Sequence, residues 1–71
     1  MGKITTAEAA AILNASPQFV RVAMQRGVLN IGIAMQMPNS SHWTYNISPK
    51  LLEEYTGKNI EQELERLRGK A

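Results

Sequence analysis

Three residues, Asn14-Ala15-Ser16, constrain this chain more than any others. They separate two short helical patterns, residues 7–13 and 17–26, and a link this short leaves no room for the second helix to run antiparallel to the first. Helices joined in this way cross steeply. That is the helix-turn-helix arrangement, in which the second helix is offered to the major groove of DNA and the first braces it. The stretch 7–29, AEAAAILNASPQFVRVAMQRGVL, is the part that the remainder of the chain holds in place.

Local signals mark where each helix begins and ends. Thr5-Thr6-Ala7-Glu8 reads as a capping box that starts a helix at about Thr6. Ala9, Ala10, Ile12 and Leu13 follow as an apolar stripe of mostly small side chains, which permits close approach by a second helix. Asn14 tolerates the left-handed conformation that a helix end needs, and Ser16-Pro17 restarts the chain with a cap and a proline at the first helical position. On the second helix the spacing predicts a buried face of Val20, Ala23, Met24 and Phe19. Gln18, Arg21, Val22 and Gln25 fall on the other face, and Gln and Arg are side chains able to hydrogen-bond base edges and phosphates in pairs. Gly27 ends the helix, and Val28-Leu29 turn back to the core.

The pattern then changes to period two. Ile31, Ile33, Met35 and Met37 alternate with Gly32, Ala34 and Gln36; after Pro38-Asn39-Ser40-Ser41-His42, Trp43, Tyr45 and Ile47 alternate with Thr44, Asn46 and Ser48. The two runs make a β-hairpin with a polar tip. Ser48-Pro49 opens a helix through Tyr55 that Thr56-Gly57 ends, with Leu51, Leu52 and Tyr55 on one face closing the core. A last helical pattern runs from Ile60 to Arg68, with Ile60, Leu64 and Leu67 at one spacing and Glu early, Arg late, as the helix dipole prefers.

Seventy-one residues make one domain, near the lower limit for a self-sufficient core. With no cysteine and the single histidine His42, disulfides and thiolate or zinc sites are not expected. No apolar run approaches the ~20 residues of a membrane span, and residues 1–6 lack a signal peptide's long apolar region, so the expected location is cytoplasmic. Enzyme readings lack parts: there is no phosphate-binding glycine loop and no paired acidic constellation, and the histidine sits on a turn. No cofactor, metal or small-molecule substrate is expected. Charge is informative by its placement. Residues 1–50 carry Lys3, Arg21, Arg26 and Lys50 against Glu8 alone, while residues 51–71 carry four basic and five acidic side chains. The basic half holds the helix-turn-helix, which suits a polyanionic partner.

This order of elements resembles the excisionase family of small winged-helix DNA-binding proteins and, more thinly, the DNA-binding domain of MerR-type regulators, whose long dimerising helix and effector domain have no counterpart here. The matching residues are Thr5-Thr6-Ala7-Glu8-Ala9-Ala10, Leu13-Asn14-Ala15-Ser16-Pro17, Val20-Arg21 and Arg26-Gly27-Val28-Leu29, then Trp43-Thr44-Tyr45-Asn46-Ile47 and Ser48-Pro49-Lys50-Leu51-Leu52-Glu53-Glu54-Tyr55. The resemblance covers roughly residues 4–57. It implies a mainly α fold with a β-hairpin, a winged helix-turn-helix over residues 1–57, followed by a short C-terminal helix or tail over residues 58–71. It further implies major-groove contacts from the second helix and backbone or minor-groove contacts from the hairpin tip. The candidate DNA-binding residues are Ser16, Pro17, Gln18, Arg21, Val22, Gln25 and Arg26 on the helix, and Asn39, Ser40, Ser41 and His42 on the tip. Such wings often carry arginine or lysine near the tip; this one has Asn-Ser-Ser-His, so hydroxyls and backbone amides would make its contacts.

Four expectations follow. Trp43, Leu13, Val20 and Leu51 lie in or beside the core. Arg21 contributes most to DNA binding, supported by Gln18 and Gln25. Residues 60–68, too short for a stable isolated helix, dock on the domain's own surface or on a neighbouring protomer. A single copy binds double-stranded DNA weakly, so useful occupancy needs neighbouring protomers or an integrase, as for a factor that bends an attachment site; a small transcriptional repressor or plasmid-control protein and a protein-interaction adaptor are the alternatives.

Overall fold

A computed structural model describes residues 3–69 of the chain. In order, the elements are α1 (Thr6–Leu13), α2 (Pro17–Gln25), β1 (Gly32–Gln36), β2 (Trp43–Ile47), α3 (Pro49–Thr56) and α4 (Ile60–Arg68). The layout is mainly helical with one antiparallel hairpin, and it is compatible with a winged-helix arrangement.

Each helix begins where a short polar side chain can take up an orphaned backbone N–H. The Glu8 N–H donates to Thr5 Oγ1 at 3.1 Å while the Thr5 N–H donates to Glu8 Oε1 at 3.0 Å, completing the capping box. Ser16, Ser48 and Asn59 cap α2, α3 and α4 by accepting from the N–H groups of Phe19, Leu51 and Gln62. At the other ends, Asn14 (φ 59°), Gly27 (φ 72°) and Gly57 (φ 73°) take the left-handed conformation. The turn between α1 and α2 is held by Ala15 N–H donating to Ala10 O at 2.8 Å, and Lys58 Nζ donates to the carbonyl of Ile12 at 2.8 Å, a cation at a helix C-terminus where the dipole favours one.

One core joins all the elements. Ile4, Ala9, Ala10 and Ile12 meet Val20, Ala23 and Met24 across the α1–α2 crossing, and Leu29, Ile31, Ile47, Leu52, Ile60 and Leu64 complete the cluster. The expected docking of the C-terminal segment on the domain itself is thereby observed: Ile60 and Leu64 are buried and Leu67 lies against the cluster. Arg68 clamps the far end, its Nε and Nη2 donating to the two Glu8 carboxylate oxygens at 2.6 and 2.8 Å and Nη2 also to Lys3 O at 2.8 Å. The Arg68 hydrogen bonds, joined by that of the Thr5 N–H, lower the pKa of the Glu8 carboxyl to about 2.

Four expectations about facing are corrected. Phe19 is exposed, because the three residues Val20, Ala23 and Met24 already fill the side of α2 against α1. Val28 is exposed while its neighbour Leu29 is buried, since the Gly27 turn delivers only one of the two inward. Tyr55 is exposed and Leu51 half-buried, leaving Leu52 as the residue by which α3 enters the core. Trp43, expected in or beside the core, is half-buried and outside the buried cluster. In the register Gly32↔Ile47, Ala34↔Tyr45, Gln36↔Trp43, burial falls from Ile47 at the root to Trp43 at the tip end, where the hairpin extends beyond the helices.

The first strand also turns a different face to the core from its predecessor. Ile31 is fully buried, yet Ile33, Met35 and Met37 are 62%, 55% and 51% exposed, and the inward positions of β1 are Gly32 and Ala34. The change of face occurs at Ile31-Gly32, where Ile31 N–H donates to Leu29 O at 3.1 Å and Ser48 N–H donates to Ile31 O at 2.8 Å. A Cβ on Gly32 would stand 2.1 Å from Asn46 O, so this approach of the two strands requires glycine.

Candidate nucleic-acid interface

At 100° per residue, the wheel of α2 puts Val22 nearly opposite the buried trio Val20, Ala23 and Met24. Gln18, Gln25 and Arg26 flank Val22, while Arg21 and Phe19 sit at the two margins of the outward face. The margin determines what Arg21 does. It is half-buried, leaning toward α1, with Nη1 donating to Thr6 Oγ1 at 3.5 Å. Gln25 is exposed but engaged: its Nε2 donates to Tyr45 Oη at 2.6 Å, tying the C-terminal end of α2 to β2. Ser16 serves as the cap, Pro17 and Gln18 are exposed on the first turn, and Arg26 is exposed at the last. The sequence reading thus located the outward face and missed Phe19 on it. The wheel angle carried the missing signal, because Phe19 lies about a quarter turn from the centre of the buried face.

The hairpin tip is a hydrogen-bonded turn. Met37-Pro38-Asn39-Ser40 closes with Ser40 N–H donating to Met37 O at 3.2 Å, proline at the second position and Asn39 at φ 60° in the third, the signature of a type II turn. Gln36 Nε2 donates to Ser40 O at 3.2 Å and His42 N–H to Ser40 Oγ at 3.0 Å. Ser40 is therefore a brace within the tip, half-buried, whereas Asn39, Ser41 and His42 are exposed.

Charge separates along the chain. No acidic residue occurs between Glu8 and Glu53, a span that contains α2 and the whole hairpin. Glu8 is neutralised by Arg68, and Arg66 by Glu63 at 2.6 Å. Among the described residues, Lys3, Arg21, Arg26, Lys50 and Lys58 have no acidic partner within ion-pair distance, and because the Lys58 ammonium is taken up by the Ile12 carbonyl, the cations left for an outside anion belong to the first fifty residues. A scan of family models and searches of curated proteins and of solved structures return no match to this chain.

Proposed function

We propose that this chain is a winged helix-turn-helix protein that binds double-stranded DNA, with α2 in the major groove and the hairpin tip against the backbone or minor groove. The observation that carries the reading is a surface helix capped at both ends, braced behind by α1 across a three-residue turn and tied to a hairpin, within a span free of acidic side chains. No acidic side chain of that span opposes an anionic rod, and Arg21 on the helix that would enter the groove and Arg26 at its C-cap are cations. The biological role we favour is that of an excisionase-like architectural factor in the cytoplasm, acting in several copies or with an integrase; a small repressor uses the same contacts at one promoter site.

Salt titration of binding to duplex DNA tests the reading. With ~2–4 phosphates contacted, log K should fall against log salt with a slope of about −2 to −4. Binding that barely responds to salt, or none to any duplex, removes it. The exposed apolar side chains of Ile33 and Met35 on β1, with Met37 just beyond it, favour the adaptor as the second reading, in which a salt-insensitive protein partner covers that face.

A further inference from the structure

The outward face of α2 is less polar in the folded protein than its composition implies. Arg21 and Gln25, two of the four Arg and Gln side chains of the helix and its cap, make contacts with Thr6 and Tyr45, which leaves Gln18 and Arg26. Beside exposed Gln18, the surface carries Val22, 37% exposed, at the centre of the outward face and Phe19, 54% exposed, at its margin. Neither is needed behind the helix, where Val20, Ala23 and Met24 complete the packing against α1.

In the major groove all four bases display hydrogen-bonding groups, and thymine alone of the unmodified bases adds an apolar group, its C5 methyl, beside its O4 acceptor. An apolar side chain pressed on a G·C pair strips water from donors and acceptors and returns no partner, whereas on a thymine methyl it buries apolar surface at little cost. We propose that α2 selects its sites by thymine methyl groups, with Val22 and Phe19 as the specificity-determining side chains and Gln18 placed for the N6 and N7 of an adenine. This inference rests on the DNA-binding reading and goes beyond it in naming what is read.

Replacing thymine by deoxyuridine tests it, because only the methyl is removed and pairing with adenine is kept. Duplexes are first selected from a random pool with the intact chain, and each thymine of the selected site is then replaced singly. The expected result is a loss of about fourfold in affinity for each contacted methyl, the equivalent of one buried methylene. Val22→Ala or Phe19→Ala, both at exposed positions and checked for unchanged melting, should remove the penalty at the position its side chain covers. A selected duplex that is indifferent to deoxyuridine, or one whose penalty persists in both variants, overturns the inference while leaving DNA binding intact. Failure to select any duplex overturns DNA binding itself and the inference with it. Because 5-methylcytosine carries the same methyl, a second pool with cytosine so replaced separates the carriers: a preference that stays on T·A pairs supports thymine, and one that moves to methylated C·G overturns it.

Discussion

Leu52 and Trp43 show how far the importance of a residue departs from its size. Leu52 is fully buried and is the residue by which α3 enters the core, so Leu52→Ala should cost ~2–5 kcal/mol and visibly lower the melting temperature. Trp43, half-buried at the tip end of the hairpin, should cost less on truncation than the ~3–5 kcal/mol of a buried aromatic. Thermal melts of the two variants side by side check the order; a larger loss from Trp43→Ala would place the tip in the core. From the sequence, Arg21 is expected to grip a phosphate or to pair with a guanine, and its surroundings bear on the choice. It is half-buried beside Thr6, and under the proposed DNA-binding function that position would let it grip phosphate more readily than reach a base. Arg21→Ala should weaken binding to specific and random duplexes by similar factors and reduce the salt slope by about one. A loss confined to one sequence would return it to base reading.

Between elements, two features join parts of the chain distant in sequence. At the root of the hairpin, Gly32→Ala places a Cβ against Asn46 O, and because the obstacle is backbone the strands must part. The variant should melt lower and exchange the amides of β1 and β2 faster, whereas Ala34→Gly, at the neighbouring inward position, should change the pairing geometry little. The second feature is the Glu8–Arg68 pair between the start of α1 and the end of α4. The folded pKa of Glu8, about 2, lies below its ordinary 4.5, so its contribution is fully present above pH 4.5 and is lost as pH falls toward 2. Arg68→Ala should raise the Glu8 pKa and flatten stability against pH in that window. NMR titration of Glu8 measures it directly, and an unchanged pKa would mean that the capping box alone holds the carboxylate.

For the whole molecule, the consequence is that α4 cannot be spared. Its Ile60 and Leu64 belong to the same buried cluster as Ile12 and Leu52, and Lys58 just before it closes the end of α1. Truncation after Gly57 removes two buried aliphatic side chains, each worth ~2–5 kcal/mol, from a domain whose total stability is on the order of 5 kcal/mol. The truncated chain should be largely unfolded by circular dichroism; a cooperative melt near that of the full chain would make α4 an appendage. Loss of α4 would also free the C-terminus of α1, the helix that braces α2, so DNA binding should disappear with the fold.

What the sequence by itself determined is everything settled within about four residues along the backbone. Thr5 with Glu8, Ser16-Pro17, Ser48-Pro49, Gly27 and Gly57 mark helix ends through hydrogen bonds and φ values that are local, and the period-two runs mark strands for the same reason. Tertiary structure decided which way each element faces. Alternation groups Ile33, Met35 and Met37 without saying whether core or water receives them; in the fold they face outward, with Gly32 and Ala34 inward. It also decided which polar residues of α2 remain available, since Arg21 meets Thr6 and Gln25 meets Tyr45 only after the helices cross and the hairpin folds back. A contact between residues 15, 20 or 60 apart depends on the path of all the chain between them, and no local pattern records that path.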